Sequence, residues 1–222
     1  MKKNILKKLA VLTVLLAATA ALAQDKAPLK SQLPRPLFVG TPVPLNVPNL
    51  EPPTKGKRPD FLVSAGTVNL ARNKKVTASD NNPIVGTLDM INDGDKDGNE
   101  GSWVELGPGK QWAQIDLAKS ANIFAVLVWH FHAQARVYRD VVVQVSDDPT
   151  FRSGATTIFN SDFHNELGLG AGKDLNYVET YQGKLIDAKG VKGRYVRFYS
   201  NGNTANKLND YIEAEVWGKP AA

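Results

Sequence analysis

Apolar and polar residues alternate with period two along several short stretches of this chain. In YIEAEVWG (Tyr211–Gly218), Ile212, Ala214 and Val216 share one face, and Tyr211, Glu213, Glu215 and Trp217 share the other. That is the pattern of a half-buried strand. In QWAQIDL (Gln111–Leu117), Ala113, Ile115 and Leu117 lie together, opposite Trp112, Gln114 and Asp116. Asn122–Phe131 places Ile123, Ala125, Leu127, Trp129 and Phe131 on one side and Phe124, Val126 and Val128 on the other. Val141–Val145 is a β-branched run with one glutamine, which predicts a central strand covered on both faces. RYVRFYSNGN (Arg194–Asn203) reads as another strand running into a turn. Turn residues punctuate these runs at Gly107-Pro108-Gly109, Ser146–Pro149 and Asn201-Gly202-Asn203. After the first twenty-odd residues no window has an amphipathic helical pattern. The chain is therefore expected to be an all-β sandwich, with loops at one end available for binding.

The N-terminus reads differently. Residues 1–23 have a basic start (Met1–Lys8), an apolar run from Leu9 to about Ala20, and the small-x-small site Ala21-Leu22-Ala23, which together describe a secretion signal. The run is too short for a comfortable membrane span. Residues 24–60 hold nine of the 13 prolines. Proline lacks a donor and fixes φ, so this stretch is read as an extended linker, with a strap lying on the domain as the alternative. Residues 61–222 are long enough for one sandwich core. The chain has no cysteine, which excludes disulfides, thiol catalysis and a cysteine-acylated lipoprotein.

The formal charge of +5 owes four lysines to the signal; from Gln24 onward it is +1, and from Phe61 onward −2. A nucleic-acid partner would need a basic stripe to neutralise phosphates, and the sequence shows none. Arg194 and Arg197 fall on opposite faces of one strand and read as structural. Gly168-Leu169-Gly170-Ala171-Gly172-Lys173 is followed by Asp174, where a phosphate-binding Walker loop requires Ser or Thr. It reads as a flexible surface loop. No G-x-S-x-G elbow supports a serine hydrolase.

Three places carry candidate chemistry. The acidic loop Asp93-Gly94-Asp95-Lys96-Asp97-Gly98-Asn99-Glu100 sets carboxylates at alternate positions around a glycine turn, as calcium binding requires. Position twelve of that run is Val104, so the closing glutamate of an EF-hand is missing. His130-Phe131-His132 is an H-x-H pair, for which only His164 and scattered carboxylates remain to complete a zinc site, so packing is the preferred reading. Trp103 and Trp112 are candidate platforms for the apolar face of a sugar, with Trp103, just after the acidic loop, the more exposed of the two. The long glycine-rich segment Ser153–Asp187, which contains His164, is a candidate recognition loop.

The motifs, taken in order, resemble the discoidin family, also called the coagulation factor 5/8 type C domain. They are Asn69–Ser79 (NLARNKKVTAS), Asp93-Gly94, Gln111–Leu117, Val143–Asp148, Arg194–Arg197 and Glu213–Gly218. The resemblance covers about residues 65–218 and departs at Asn73, where the family has glycine, and in the two long loops. It implies a jelly-roll, galactose-binding-domain-like β-sandwich that binds ligand through end loops and has no catalytic residues. It implies a structural calcium held by Asp93 and Glu213, with Asp95, Asp97 and Ser102 completing the loop. It also implies ligand contacts from His132 and Arg136, beside Trp103 and His164. The expected partner is carbohydrate or a cell-surface glycan; the alternative is a protein-interaction or adhesion module. The expected location is outside the cell, in the periplasm or on the cell surface.

Overall fold

The computed structural model describes residues 26–37, 44–53 and 56–221. The expected signal, residues 1–23, lies outside them. Among the described residues ten strands follow in order: β1 Lys26–Pro28, β2 Leu62–Ser64, β3 Val68–Asn69, β4 Lys75–Ala78, β5 Val104–Leu106, β6 Lys110–His130, β7 Val142–Ser146, β8 Thr156–Asn160, β9 Lys184–Asn201 and β10 Asn209–Pro220. A 3-10 turn at Leu88–Asn92 is the sole helical element among the described residues. All ladders between these strands are antiparallel.

Two ribbons organise the sandwich. The first half of β6 pairs with β4 and with the second half of β9, which continues to β7 and β8. The second half of β6 pairs with β10 and with the first half of β9. Between the halves the register shifts, once between Asp116 and Ala121 and again between Ile123 and Ala125. Ala118 (φ 70°) and Lys189 (φ 53°) take left-handed turns in the bend regions. Each ribbon thus serves both layers.

The main core lies between the layers. It takes Ala113, Ile115, Ile123, Val126 and Val128 from β6, Val143 and Val145 from β7, Val196 and Phe198 from β9, and Tyr211, Ala214 and Val216 from β10. Each fully buried Val or Ile contributes about 1.5–3 kcal/mol, so this valine-rich interior dominates the stability. As expected for the valine run, all of β7 is buried.

Simple alternation fails at the bulges. Ile123 was expected beside Ala125, Leu127 and Trp129, but it sits in the main core while those three face outward into a second cluster. Ile212 was expected beside Ala214 and Val216; the shift between Tyr211 and Glu213 turns it into the second cluster and sends Tyr211 inward. A bulge inserts one residue and flips every following side chain.

The second cluster is Val63, Ala125, Leu127, Trp129, Ile212 and Trp217, and it lies on the outer face of the β6–β10 layer. Leu29, Leu33, Phe61, Trp103, Phe124 and Leu185 cover it. The first two come from the proline-rich segment. The free-tether reading of that segment is corrected here: its described parts lie on the sandwich as a strap. β1 pairs with β2, and the Leu29 amide donates to Phe61 O at 2.8 Å. An uncovered face carrying Trp129, Trp217 and Leu127 would be an apolar patch on the surface, and the strap's leucines remove it from water.

Candidate binding site at the loop end

The acidic loop follows the 3-10 turn and lies against β10. Glu213 is fully buried there. Its Oε2 accepts from the Gly94 amide at 2.8 Å, and its Oε1 has no hydrogen-bond partner among the described residues. Burial, opposed by the Gly94 amide and aided by the Glu215 and Asp93 carboxylates, raises its pKa to about 9. An orphaned buried carboxylate oxygen with a second carboxylate nearby fits a hard cation. Asp93, Asp95 and Ser102 of the expected ligand set are engaged within the loop by their side chains, and Asp97 by its backbone amide. Asp93 Oδ1 accepts from the Asp95 amide (2.8 Å), Asp95 Oδ1 from the Asp97 amide (2.9 Å), and Asp95 Oδ2 from Ser102 Oγ (3.0 Å). Among the described residues no three His, Asp or Glu side chains are grouped as a cage.

Lys96, from the same loop, pairs with Glu215 at 2.5 Å, donates to Gln32 O of the strap at 2.9 Å and lies 5.1 Å from the Trp129 ring centre. It joins loop, sheet and strap. The lysine's position among four acidic residues gave no hint of this inward role.

His132 is buried and its Nε2 is 2.9 Å from Lys96 O, so it fastens the acidic loop to the end of β6. It was expected to be open to ligand. Trp103 is half-buried, packs on the second cluster and meets the Phe131 ring edge-on at 5.1 Å. Arg136 stacks 4.3 Å above the other partner of that contact, Phe131, and donates to Asp210 Oδ2 at 3.0 Å. Two of the four expected ligand residues, Trp103 and Arg136, therefore come together on Phe131, as packing and ion-pair partners, while His132 follows it in the chain and bonds the acidic loop.

Behind them lies a buried polar group. Tyr138 donates to Asp210 at 2.6 Å and stacks on His130 at 4.2 Å, and His130 Nδ1 is 2.6 Å from Glu179 Oε1. Burial and then the Asp210 carboxylate hold the Tyr138 pKa well above its usual value. Burial and then a hydrogen bond to Asp210 raise Glu105. At His130, Glu179 occupies Nδ1, and Tyr138 covers the ring.

His164 is elsewhere, and it is exposed. It borders a cleft of about 290 Å³ with Phe163, Arg139, Asp140, Asn176 and Thr204, and with Asn46–Asn49 of the strap. The long loop that carries it is well braced. Asp162 is fully buried and accepts from the amides of Glu166 and Leu167, both at 2.8 Å. Asn160 Nδ2 donates to Gly170 O at 2.9 Å, and Asp174 accepts from the Asn160 amide at 2.7 Å. The flexible-loop expectation for Gly168–Lys173 is corrected by these contacts. Asp140 stands at the lip in a left-handed conformation (φ 53°), one that Asp tolerates better than most residues. Burial, with the Asp162 and Glu166 carboxylates, raises its pKa, while the Asn201 amide at 2.8 Å opposes the shift.

The sequence reading missed Arg139, Asp140, Asn176 and Thr204. Their only signal is a polar Arg-Asp pair directly ahead of the valine run and a polar turn after Asn201. Both are ordinary turn composition.

Residues 90–198 match a family model for the F5/F8 type C domain, described as NedA-like, galactose-binding domain. Over these residues the sandwich resembles the discoidin-like F5/8 type C domain. Solved structures share the fold of the sandwich. The family 89 glycoside hydrolase from Clostridium perfringens, in complex with 2-acetamido-1,2-dideoxynojirmycin, is 18% identical with a TM-score of 0.52, over 69% of this chain and 15% of that one. Truncated AlyQ, with CBM32 and alginate lyase domains, is 16% identical with a TM-score of 0.50, over 70% of this chain and 35% of that one. The CBM32 of AlyQ in complex with 4,5-unsaturated mannuronic acid is 16% identical with a TM-score of 0.48, over 64% of this chain and 92% of that one. The match thus spans well under two thirds of the two longer chains. No curated protein matches the chain. No helix among the described residues is long and apolar enough to cross a membrane.

Proposed function

We propose that this domain is an exported, non-catalytic carbohydrate-binding module that holds saccharide in the cleft bordered by His164. The observation that carries the reading is the cleft's lining: the Phe163 ring beside Arg139, Asp140, His164, Asn176 and Thr204. A sugar offers an apolar face for a ring and hydroxyls for directional hydrogen bonds, and this lining supplies both kinds of partner. The likeness of fold to AlyQ with its CBM32 domain supports the same reading. Binding without catalysis is supported by the engagement of the acid and base candidates, His130 with Glu179 and Asp210 with Arg136 and Tyr138. Trp103, His132 and Arg136 have a supporting role, holding the acidic loop and the chain around Phe131 in place.

A structural calcium belongs to the same reading, with Asp93 and Glu213 as its side-chain ligands. When bound, it supplies positive charge to the buried Glu213 and the half-buried Asp93 and clamps the acidic loop to β10. Glu213 with its free oxygen is what supports it. Asp95, Asp97 and Ser102 hold the loop's shape through their own hydrogen bonds.

A glycan array probed with the full chain tests the binding function. Saturable binding that weakens at least tenfold in both His164→Ala and Arg139→Ala is expected. Undiminished binding in both variants would move the site away from this cleft. Silence across neutral, amino and acidic glycans would overturn the carbohydrate reading and favour a protein-adhesion module.

A further inference from the structure

One wall of the cleft lies outside the family match. Residues 90–198 include Arg139, Asp140, Phe163, His164 and Asn176, whereas Asn46–Asn49 come from the strap. The two sides are joined at a single residue of the long loop. The Asn176 amide donates to Asn49 O at 2.9 Å, its carbonyl accepts from the Glu51 amide at 2.8 Å, and its side-chain amide donates to Pro48 O at 2.9 Å. Asn49 turns the strap at this point with φ 55°, a conformation asparagine tolerates. Just beyond, Glu51 pairs with Lys184 at 2.6 Å, and Lys184 lies 4.7 Å from the Tyr177 ring centre. Further along, Arg58 donates to Gln182 O at 3.0 Å, and Gln182 returns a hydrogen bond to Gly56 O at 2.9 Å.

These contacts are more than an apolar strap needs. Covering the second cluster requires only Leu29, Leu33 and Phe61. Asn46, Pro48 and Asn49 are exposed, and the fastenings of the Asn46–Glu51 stretch are polar and directional. They hold Pro48 and Asn49 at a fixed place across the cleft from the loop that carries His164. Asn46 and Asn49 each bring an amide with donors and an acceptor, which suits hydroxyl groups.

We propose that the proline-rich strap is part of the binding site, with Asn46–Asn49 contacting the bound saccharide and Asn176 as the positioning residue that holds them there. This rests on reading the cleft as a saccharide site. A saccharide touching both walls favours the docked strap, and the docked strap favours the saccharide by the same factor. A domain cut at Phe61 lacks this wall and would bind weakly.

The test uses the full chain, a panel of galactose-, hexosamine- and uronate-terminated oligosaccharides, titration calorimetry and amide hydrogen exchange. Asn46→Ala alters the wall and leaves the Asn176 fastening in place; Asn176→Ala removes the side-chain bond to Pro48 O and leaves the two backbone bonds. His164→Ala reports on the opposite wall. Any panel member bound by the wild type is expected to bind at least tenfold more weakly to both strap-side variants. It is also expected to slow exchange of the Glu51 and Asn176 amides at least fivefold in the wild type. Wild-type affinity in Asn46→Ala and Asn176→Ala, with loss in His164→Ala, would sink the strap's role and leave the cleft as a site. Absence of binding by every panel member would sink the saccharide reading itself, and the strap's role with it.

Discussion

Asn209, at the start of β10, offers the sharpest test of how the loop end is held. Its side chain is fully buried and makes four hydrogen bonds. Oδ1 accepts from Ser200 Oγ and the Gly202 amide, both at 2.8 Å. Nδ2 donates to Gly107 O at 2.8 Å and Gly109 O at 2.9 Å. One amide therefore fastens the turn before β6, the end of β9 and the turn leading to Thr204. Asn209→Ala leaves the Gly107 and Gly109 carbonyls and the Gly202 amide without this partner, while Ser200 keeps Tyr211 at 2.9 Å. At about 1–3 kcal/mol for each buried group left unpaired, the loss is expected to reach roughly 3–5 kcal/mol, a large share of a domain's total. Urea denaturation followed by tryptophan fluorescence measures it directly. Asn209→Asp sharpens the test. Its second oxygen would face the Gly107 and Gly109 carbonyls, so the ionised form is repelled and the native pKa rises above the unfolded value of about 3.9. Relative to the wild type, stability of this variant is thus highest below pH 4 and falls as pH rises through the native pKa. A loss under 1 kcal/mol in Asn209→Ala, or a flat pH profile in Asn209→Asp, would refute the reasoning.

Three further outcomes follow from the geometry. Chelator is expected to lower the melting temperature of the wild type, and Asp93→Ala to lower it and abolish the chelator effect; a curve unmoved by chelator defeats the calcium proposal. Lys96→Met leaves the buried Glu215 with the Trp217 indole donor but without its lysine partner, and removes the donor to Gln32 O; it should lose about 3 kcal/mol in urea, and a loss below 1 kcal/mol would show the pair to be idle. Asp148 is held at about 2 by the Thr150 hydroxyl and amide and then by Ser153. Its carboxylate should titrate there by NMR, so its contribution is present above the unfolded value and disappears as pH falls toward 2; a midpoint near 4 contradicts the hydrogen-bonded cage.

The strands and most of the core were legible because a pleated ribbon writes its burial into period two. Val141–Val145 and Gln111–Leu117 sit as their patterns require. The faces of Ile123 and Ile212 were not legible, because a bulge adds a residue without any special composition. The partner of Arg136 is Asp210, far along the chain and buried, which charge spacing cannot reveal. Of the expected ligand residues only His164 borders the cleft, since the cleft is made by Asn176 and the strap meeting across more than a hundred residues of chain. The strap itself looked like a tether because proline content reports local stiffness and says nothing about where Leu29 and Leu33 find cover.

The sharing of β6 and β9 between both layers bears on how the molecule assembles. Neither layer can dissolve while the other persists, because each loses half of its two longest strands at once. Unfolding should therefore proceed in one cooperative step, with amides in both halves of β6 opening at a common rate. Acquisition of the native state must wait until residues near 115 and 196 have met, so refolding is expected to be slow for a chain of this size.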